Sequence, residues 1–141
     1  MRQHVLGVPV DNLSMDETLD RIGQFVADGR PHQHVVINVD KVVKARRDPQ
    51  LLAIIAGCDL INADGMPVVW ASRLLGQPLK QRVTGVDLFD ALLQRAEARG
   101  WRPYFLGARA EVVQAVVATA RRRHPRLQVA GWRDGYWDPA D

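Results

Sequence analysis

Three residues follow short apolar runs at positions where α/β proteins carry out chemistry. Asn38 follows VVI, Asp64 follows LINA, and Gly107 follows YFL. In an open parallel sheet, ligands bind beyond the carboxyl ends of the strands, because helix N-termini and loop amides converge there. If the three runs are strands of such a sheet, these residues lie along one edge. We therefore predict a ligand site at that edge.

Asp64 is the residue of this group best suited to chemistry. With Gly65 it interrupts the apolar segment LINADGMPVVWASRLLG, whose second part is typical of a helix. A carboxylate at this junction can act as a general base or bind a sugar hydroxyl. Alternatively, Asp64 caps the following helix through Gly65 and the backbone amides, which Asp does well. Its position alone leaves both interpretations open.

Arg82 and Gly107 are candidates for binding phosphate. Arg82 precedes a helix in QRVTGVDL, and Arg binds a diphosphate through paired, charge-assisted hydrogen bonds, whereas a surface Arg stays solvated. Gly107 would let a phosphate approach a helix N-terminus without a Cβ in the way, although a plain βα turn has the same sequence. The three-glycine dinucleotide fingerprint is absent and the histidines lack ligand spacing. We predict neither a cofactor nor a metal.

Short strands alternate with helices along the chain. Helical periodicity starts at the capping box SMDE, in which Ser14 and Glu17 bond to each other's backbone, and it stops at DGRP. A second apolar stripe starts at Leu88, with Asp87 as a candidate cap, and ends at Gly100; a third ends before Pro125. The predicted strands are HVVIN (34–38), DLINAD (59–64), RPYFLG (102–107) and LQVAG (127–131). This alternation predicts an α/β, Rossmann-like domain with a mainly parallel sheet covered by helices on both faces.

Composition is typical of a globular domain and argues against a disulfide-bonded or membrane-spanning protein. The 141 residues are 47% hydrophobic and 25% charged, as in an ordinary globular domain. The one cysteine, Cys58, has no disulfide partner and lies in an apolar run, so we expect it in the core. No stretch approaches the roughly 20 apolar residues that span a bilayer. The basic clusters KARR (44–47) and RRRHPR (121–126) are typical of solvated helix ends, and binding to phosphate, nucleic acid or lipid is the alternative.

Six segments, taken in order, resemble one family of bacterial glycosyltransferases. They are GVPVDNLSMDETLDRI, VVINVDKVVKARRDPQL, LINADGMPVVWASRLLG, QRVTGVDL, PYFLGARAEVV and DGYW, and they extend over nearly the whole chain. Their order and spacing are similar to those of the WecG/TagA/CpsF family, glycosyltransferase family 26. ADG and RVTGVDL are the most specific pieces, because neither is a general feature of Rossmann-like domains.

The resemblance implies an inverting, metal-independent enzyme that transfers an N-acetylmannosamine-type or related sugar from a UDP donor. The acceptor would be a polyprenyl-diphosphate-linked saccharide used in cell-wall or exopolysaccharide synthesis. Such an enzyme would be cytoplasmic and peripheral to the inner face of the plasma membrane. The residues that match the family's site are the catalytic base Asp64 and the substrate-binding residues Asn38, Gly65, Arg82, Thr84 and Gly107.

The sequence departs from the family pattern at two places. Family members often carry Thr two residues before the Asn, where this chain has Val36. They also continue past DGY with a further βα portion, which bears an active-site Gln, and with a C-terminal appendage that contacts the membrane. We therefore expect 1–141 to be one glycosyltransferase domain that lacks its C-terminal part. A sheet edge exposed in this way would favour a homo-oligomer.

Three other functions are weighed against the transferase. A domain that binds nucleotide sugars or a partner without catalysis would bind a UDP-sugar and not turn it over. An oxidoreductase lacks support because the glycine fingerprint is missing. Nucleic-acid binding ranks last, since the basic clusters have no interleaved aromatic residues or known motif.

Overall fold

Residues 2–138, the part of the chain that the computed structural model describes, form six strands and six helices. The strands are β1 (Arg2–Val5), β2 (Val8–Asp11), β3 (His34–Ile37), β4 (Leu60–Ala63), β5 (Tyr104–Leu106) and β6 (Gly131–Arg133). The helices are α1 (Met15–Asp28), α2 (Val39–Arg47), α3 (Pro49–Ala56), α4 (Met66–Leu74), α5 (Gly85–Arg99) and α6 (Ala110–Arg123). The chain divides into two compact units, Met1–Leu88 and Phe89–Asp141.

The strands pair two by two. β1 and β2 form an antiparallel hairpin, whereas β3 pairs with β4 and β5 pairs with β6 in parallel. Parallel pairs need long connections, and helices supply them here. The mixed α/β composition and the parallel pairs confirm the predicted α/β, Rossmann-like fold class.

The core of the first unit lies around β2, β3 and β4. Ile37, Leu60 and Ile61 are almost completely inaccessible, and Cys58 is buried with them, as predicted. Asp11 at the end of β2 joins the hairpin to β4, because one carboxylate oxygen accepts the Ile61 N–H at 2.8 Å. A buried polar chain crosses the same region: Asn62 Oδ1 lies 2.8 Å from His34 Nε2, and its amide donates to Thr18.

Local signals placed most element boundaries correctly. The capping box of α1 is present as predicted, since Ser14 and Glu17 each accept the other's backbone N–H, and the helix ends at Gly29 with φ +69°. The basic clusters lie in the exposed last turns of α2 and α6, where cations interact favourably with the helix dipole. Asp48 separates α2 from α3 and caps the latter, whose first residue is Pro49.

The strand predicted at LQVAG, 127–131, is wrong, because β6 spans Gly131–Arg133 instead. Leu127 is buried, but its N–H closes a turn onto His124 after α6. The ladder with β5 begins only where Gly131 lies opposite Tyr104. An apolar run can therefore fill the core from an irregular segment, and its composition alone does not reveal where the ladder starts.

Two carboxylates at the start of the first parallel pair hold His32. Its ring stacks on Phe25 with centroids 4.0 Å apart, while Nε2 lies 2.9 Å from Asp28 and Nδ1 lies 3.3 Å from Asp59. The hydrogen bond to Asp28 raises the pKa of His32. The pKa of Asp28 is lowered to about 2, mainly by the hydrogen bond from the Arg30 N–H and secondly by the hydrogen bond from His32.

This arrangement predicts a pH-dependent contribution to stability. A histidine whose pKa is raised on folding stabilises fully below its unfolded pKa of about 6.5, and the contribution is lost as pH rises through the folded value. The difference in free energy of unfolding between the wild type and His32→Gln should therefore shrink as pH rises above about 6.5. Urea denaturation at several pH values measures it.

His4→Gln is the matched control, because His4 is an exposed histidine of the same unit. Burial lowers the pKa of His34, so this residue changes the free energy of unfolding with pH in the opposite direction. Its contribution is the same in the wild type and both variants, and it cancels when their free energies of unfolding are subtracted. A wild-type minus His32→Gln difference that is constant with pH would contradict the prediction.

Candidate active site

The ends of β3 and β4 bring two of the predicted site residues together. Ile37 lies opposite Ala63 in the last pair of the parallel ladder, and the Asp64 N–H then donates to the Ile37 carbonyl at 2.7 Å. Asn38 and Asp64 therefore leave adjacent strands at the same carboxyl edge. This is the edge at which open parallel sheets bind ligands.

Asn38 begins α2 at this edge. Its Oδ1 accepts the Lys41 N–H at 3.0 Å and so caps the helix. The Lys41 ammonium reaches back to the Val36 carbonyl at 2.6 Å, which places a positive charge at the end of β3. Asn38 is exposed, and its side-chain NH₂ has no partner among residues 2–138. That amide group can donate to a ligand.

Asp64 does not cap the helix that follows it. The N-cap of α4 is Gly65, which has φ +102°, and no side chain of the described residues caps this helix. Instead, Asp64 Oδ2 accepts the N–H of Gly85, the first residue of α5, at 3.3 Å. The capping interpretation is thus wrong for α4. The partly buried carboxylate is directed toward a segment 21 residues further along the chain.

The segment between α4 and α5 is fixed at several points before it reaches Asp64. Ser72, completely buried in α4, accepts the Leu79 N–H, and Asn12 accepts the Lys80 N–H at 2.7 Å. Val83 is buried, and its N–H donates to the Ala63 carbonyl at 3.0 Å. The backbone on either side of Arg82 is therefore anchored to Asn12, to α4 and to the end of β4.

Arg82 is exposed in this anchored segment. Within the described part of the chain, its guanidinium makes no hydrogen bond or ion pair. A guanidinium that has no ion-pair partner and is attached to a fixed backbone is suited to binding a diphosphate, because its charge is available and only the side chain must become ordered on binding.

Thr84 caps α5. Its Oγ1 accepts the Asp87 N–H at 3.1 Å, and the Leu88 N–H donates to its carbonyl. The candidate cap Asp87 is therefore wrong: Asp87 supplies the N–H that is capped. The sequence signal was available, since Thr is a preferred N-cap residue and precedes the apolar stripe at the correct distance.

Gly107 belongs to the unit Phe89–Asp141. It has φ +123°, its N–H donates to the Arg133 carbonyl, and it precedes Ala108, which also has positive φ. Among residues 2–138, no side chain caps α6, whose N-terminus follows this turn. Gly135 of the DGY motif packs against the turn, since a Cβ there would lie 3.3 Å from Gly107 Cα. Uncapped helix amides behind a glycine turn are suited to phosphate.

Sequence reasoning did not identify Gly85 or Lys41 as site residues. Gly85 contributes through its backbone N–H, which has no signature in residue type. Lys41 lies one helical turn after Asn38 on a helix with several other basic residues.

Among residues 2–138, no three His, Cys, Asp or Glu side chains converge as metal ligands. None of the helices described is long and apolar enough to span a bilayer.

Comparison with known proteins assigns the chain to a family. A model of the glycosyl transferase WecG/TagA/CpsF family matches residues 3–141. The chain belongs to this family. The match confirms the resemblance inferred from the ordered motifs.

Two relatives of this chain carry the name N-acetylglucosaminyldiphosphoundecaprenol N-acetyl-beta-D-mannosaminyltransferase. The one from Bacillus spizizenii is 35% identical over 102 residues, covering 72% of this chain and 40% of the relative. The one from Staphylococcus aureus is 33% identical over 139 residues, covering 97% of this chain and 54% of the relative. The chain thus spans about half the length of the curated relatives it matches.

The cap geometry predicts how much Thr84 contributes to the stability of the fold. Because its hydroxyl accepts a helix N-terminal amide, Thr84→Ala should lower the free energy of unfolding by about 1 kcal/mol. Thr84→Ser should restore most of that loss, since Ser retains the acceptor oxygen. Urea denaturation of the three proteins measures the effect. Equal stability of Thr84→Ala and wild type would show that the cap is energetically unimportant.

Proposed function

We propose that this protein is an inverting, metal-independent glycosyltransferase that moves an N-acetylmannosamine-type sugar from UDP to a polyprenyl-diphosphate-linked saccharide. Family membership and the names of the two relatives support the sugar and the lipid-linked acceptor. The observation that carries the proposal is the position of Asp64 at the carboxyl end of β4, with the segment bearing Arg82 bonded to the same strand end.

An inverting transfer requires a base on the side from which the acceptor attacks. In the proposed reaction, an acceptor hydroxyl bonds to the anomeric carbon as the bond from that carbon to the UDP oxygen breaks on the opposite face. Asp64 takes the hydroxyl proton, and the electron pair of the broken bond leaves with UDP. Asp64 suits this role because it is only partly buried and the Gly85 N–H contacts one of its two oxygens, Oδ2.

Departure of UDP requires stabilisation of the charge that develops on its diphosphate. In the proposed reaction, Arg82 supplies that stabilisation, with its charge already present and its backbone fixed. Asn38 supplies amide donors for sugar hydroxyls, while Gly65 and Thr84 line the substrate side of the same edge. Gly107, in its own unit, is proposed as a phosphate contact through the uncapped start of α6.

The acceptor also determines where the enzyme would act. A polyprenyl diphosphate is anchored in the bilayer by its hydrocarbon chain, so its sugar is presented at the membrane surface. We propose that the protein works in the cytoplasm, in peripheral contact with the inner face of the plasma membrane.

Binding of UDP tests the donor part of the proposal. Arg82→Ala should weaken UDP affinity about tenfold or more, because a charge-assisted hydrogen bond to an anion is lost. Calorimetric titration with UDP and with UDP-N-acetylmannosamine measures this. Arg73→Ala is the matched control, since Arg73 is an exposed arginine of the same unit, on α4. Equal loss in both variants, or in neither, would contradict a specific role for Arg82.

Turnover tests the catalytic part. Asp64→Asn keeps the shape of the side chain and removes the base, so turnover on a lipid-linked acceptor should fall roughly 10²-fold or more. UDP affinity should stay within about twofold of wild type. Asp40→Asn, an exposed aspartate of α2, serves as the control. Full activity of Asp64→Asn would eliminate Asp64 as the base, whereas a wild-type chain that binds UDP-sugar without turnover would favour the non-catalytic alternative.

A further inference from the structure

The first amide of α5 is used in an unusual way. The N-terminal amides of a helix have no partner within the helix, and a nearby side chain usually caps them. Here Thr84 takes the Asp87 N–H, while the Gly85 N–H is left for Asp64 Oδ2 at 3.3 Å. At the start of α5, Thr84 therefore accepts the N–H of Asp87, and Asp64, which directly follows β4, accepts the N–H of Gly85.

Backbone bonds fix the atoms on both sides of this contact. The Asp64 N–H donates to the Ile37 carbonyl at 2.7 Å, which holds the Asp64 backbone against β3. The Val83 N–H donates to the Ala63 carbonyl at 3.0 Å, which holds the start of α5 against the residue before Asp64. Donor and acceptor are thus attached to the same strand end, and they meet without further ordering of the chain.

Only one oxygen of the Asp64 carboxylate is engaged. Among residues 2–138, the backbone N–H of Gly85 is the one hydrogen-bond partner of this carboxylate. Oδ1 is therefore available to a ligand. A hydrogen bond to one oxygen fixes the plane of the carboxylate. The present distance of 3.3 Å is long, and such bonds often tighten when substrate binds.

We infer that the Gly85 N–H is the positioning donor of this site: it holds Oδ2 of Asp64 so that Oδ1 faces the acceptor hydroxyl. This inference rests on the proposed function, in which Asp64 is the base. Gly85 itself contacts no reacting atom. Its contribution is to the orientation of Asp64, and it should therefore affect turnover more than donor binding.

The chain offers a matched pair of substitutions at this position. Gly85→Pro removes the N–H, and the first position of a helix is where Pro is best tolerated, with the Thr84 cap retained. The proline ring also occupies the place of the amide hydrogen and displaces the carboxylate. Gly85→Ala retains the N–H, and the new Cβ would lie 3.9 Å from Val36, an ordinary contact.

The first experiment examines the contact itself by NMR in the complete chain. In the wild type and in Gly85→Ala, the amide proton of residue 85 should shift with pH as Asp64 ionises. In Asp64→Asn that pH-dependent shift should disappear. An amide 85 whose pH response is the same in wild type and Asp64→Asn would overturn the inference, whatever the activity.

The second experiment separates positioning from folding and binding. Gly85→Pro should lower kcat about tenfold or more, with the KM for the UDP-sugar within about twofold, while Gly85→Ala stays near wild type. Thermal unfolding confirms that both variants fold. If wild type turns over and Gly85→Pro keeps its kcat, the positioning role is wrong and the proposed function stands. If wild type shows no turnover, the proposed function is contradicted, and the NMR experiment still decides whether Gly85 holds Asp64.

Discussion

The candidate site depends first on the parallel register of β3 and β4. With Ile37 opposite Ala63, the next residue of each strand, Asn38 and Asp64, emerges at the same edge. A slip of one residue would move Asn62 to the other face of β4, away from its hydrogen-bond partners His34 and Thr18, so this buried polar chain specifies the register. The interactions that stabilise the unit therefore also align Asn38 and Asp64.

The segment before α5 connects that edge to parts of the chain that are distant in sequence. Lys80 forms an ion pair with Glu17, and Gln81 accepts the Met15 N–H, so the start of α1 supports the two residues before Arg82. Glu17 thus belongs both to a capping box and to this support. Surface ion pairs contribute little to stability individually. Here the pair contributes mainly by restricting where the Arg82 backbone lies.

Features that depend on local interactions were predictable from the sequence. The Ser14 capping box, the β-branched run HVVI and the buried position of Cys58 each follow from neighbouring residues, and all were predicted. Features that depend on a distant partner were not predictable. The segment 127–131 has the composition of a strand, but the ladder with β5 begins only at Gly131. Asn38 and Asp64 could be assigned to one edge because parallel strands share their polarity, whereas the contact between Asp64 and Gly85 had no local signal.

Asp64 shows why residue type alone could not decide between a cap and a base. The expectation that Asp caps a helix assumes that the helix is the one that follows in sequence. Gly65, at φ +102°, occupies the N-cap position of α4, so Asp64 lies one residue too early to cap it. The carboxylate nevertheless meets a helix N-terminus, that of α5, because Val83 continues the hydrogen bonding of β4. A carboxylate held by a single backbone amide retains an oxygen for a ligand, whereas a capping carboxylate of α4 would direct its oxygens into that helix. The fold places Asp64 at the N-terminus of α5 and not of α4, and this placement leaves one carboxylate oxygen for a ligand.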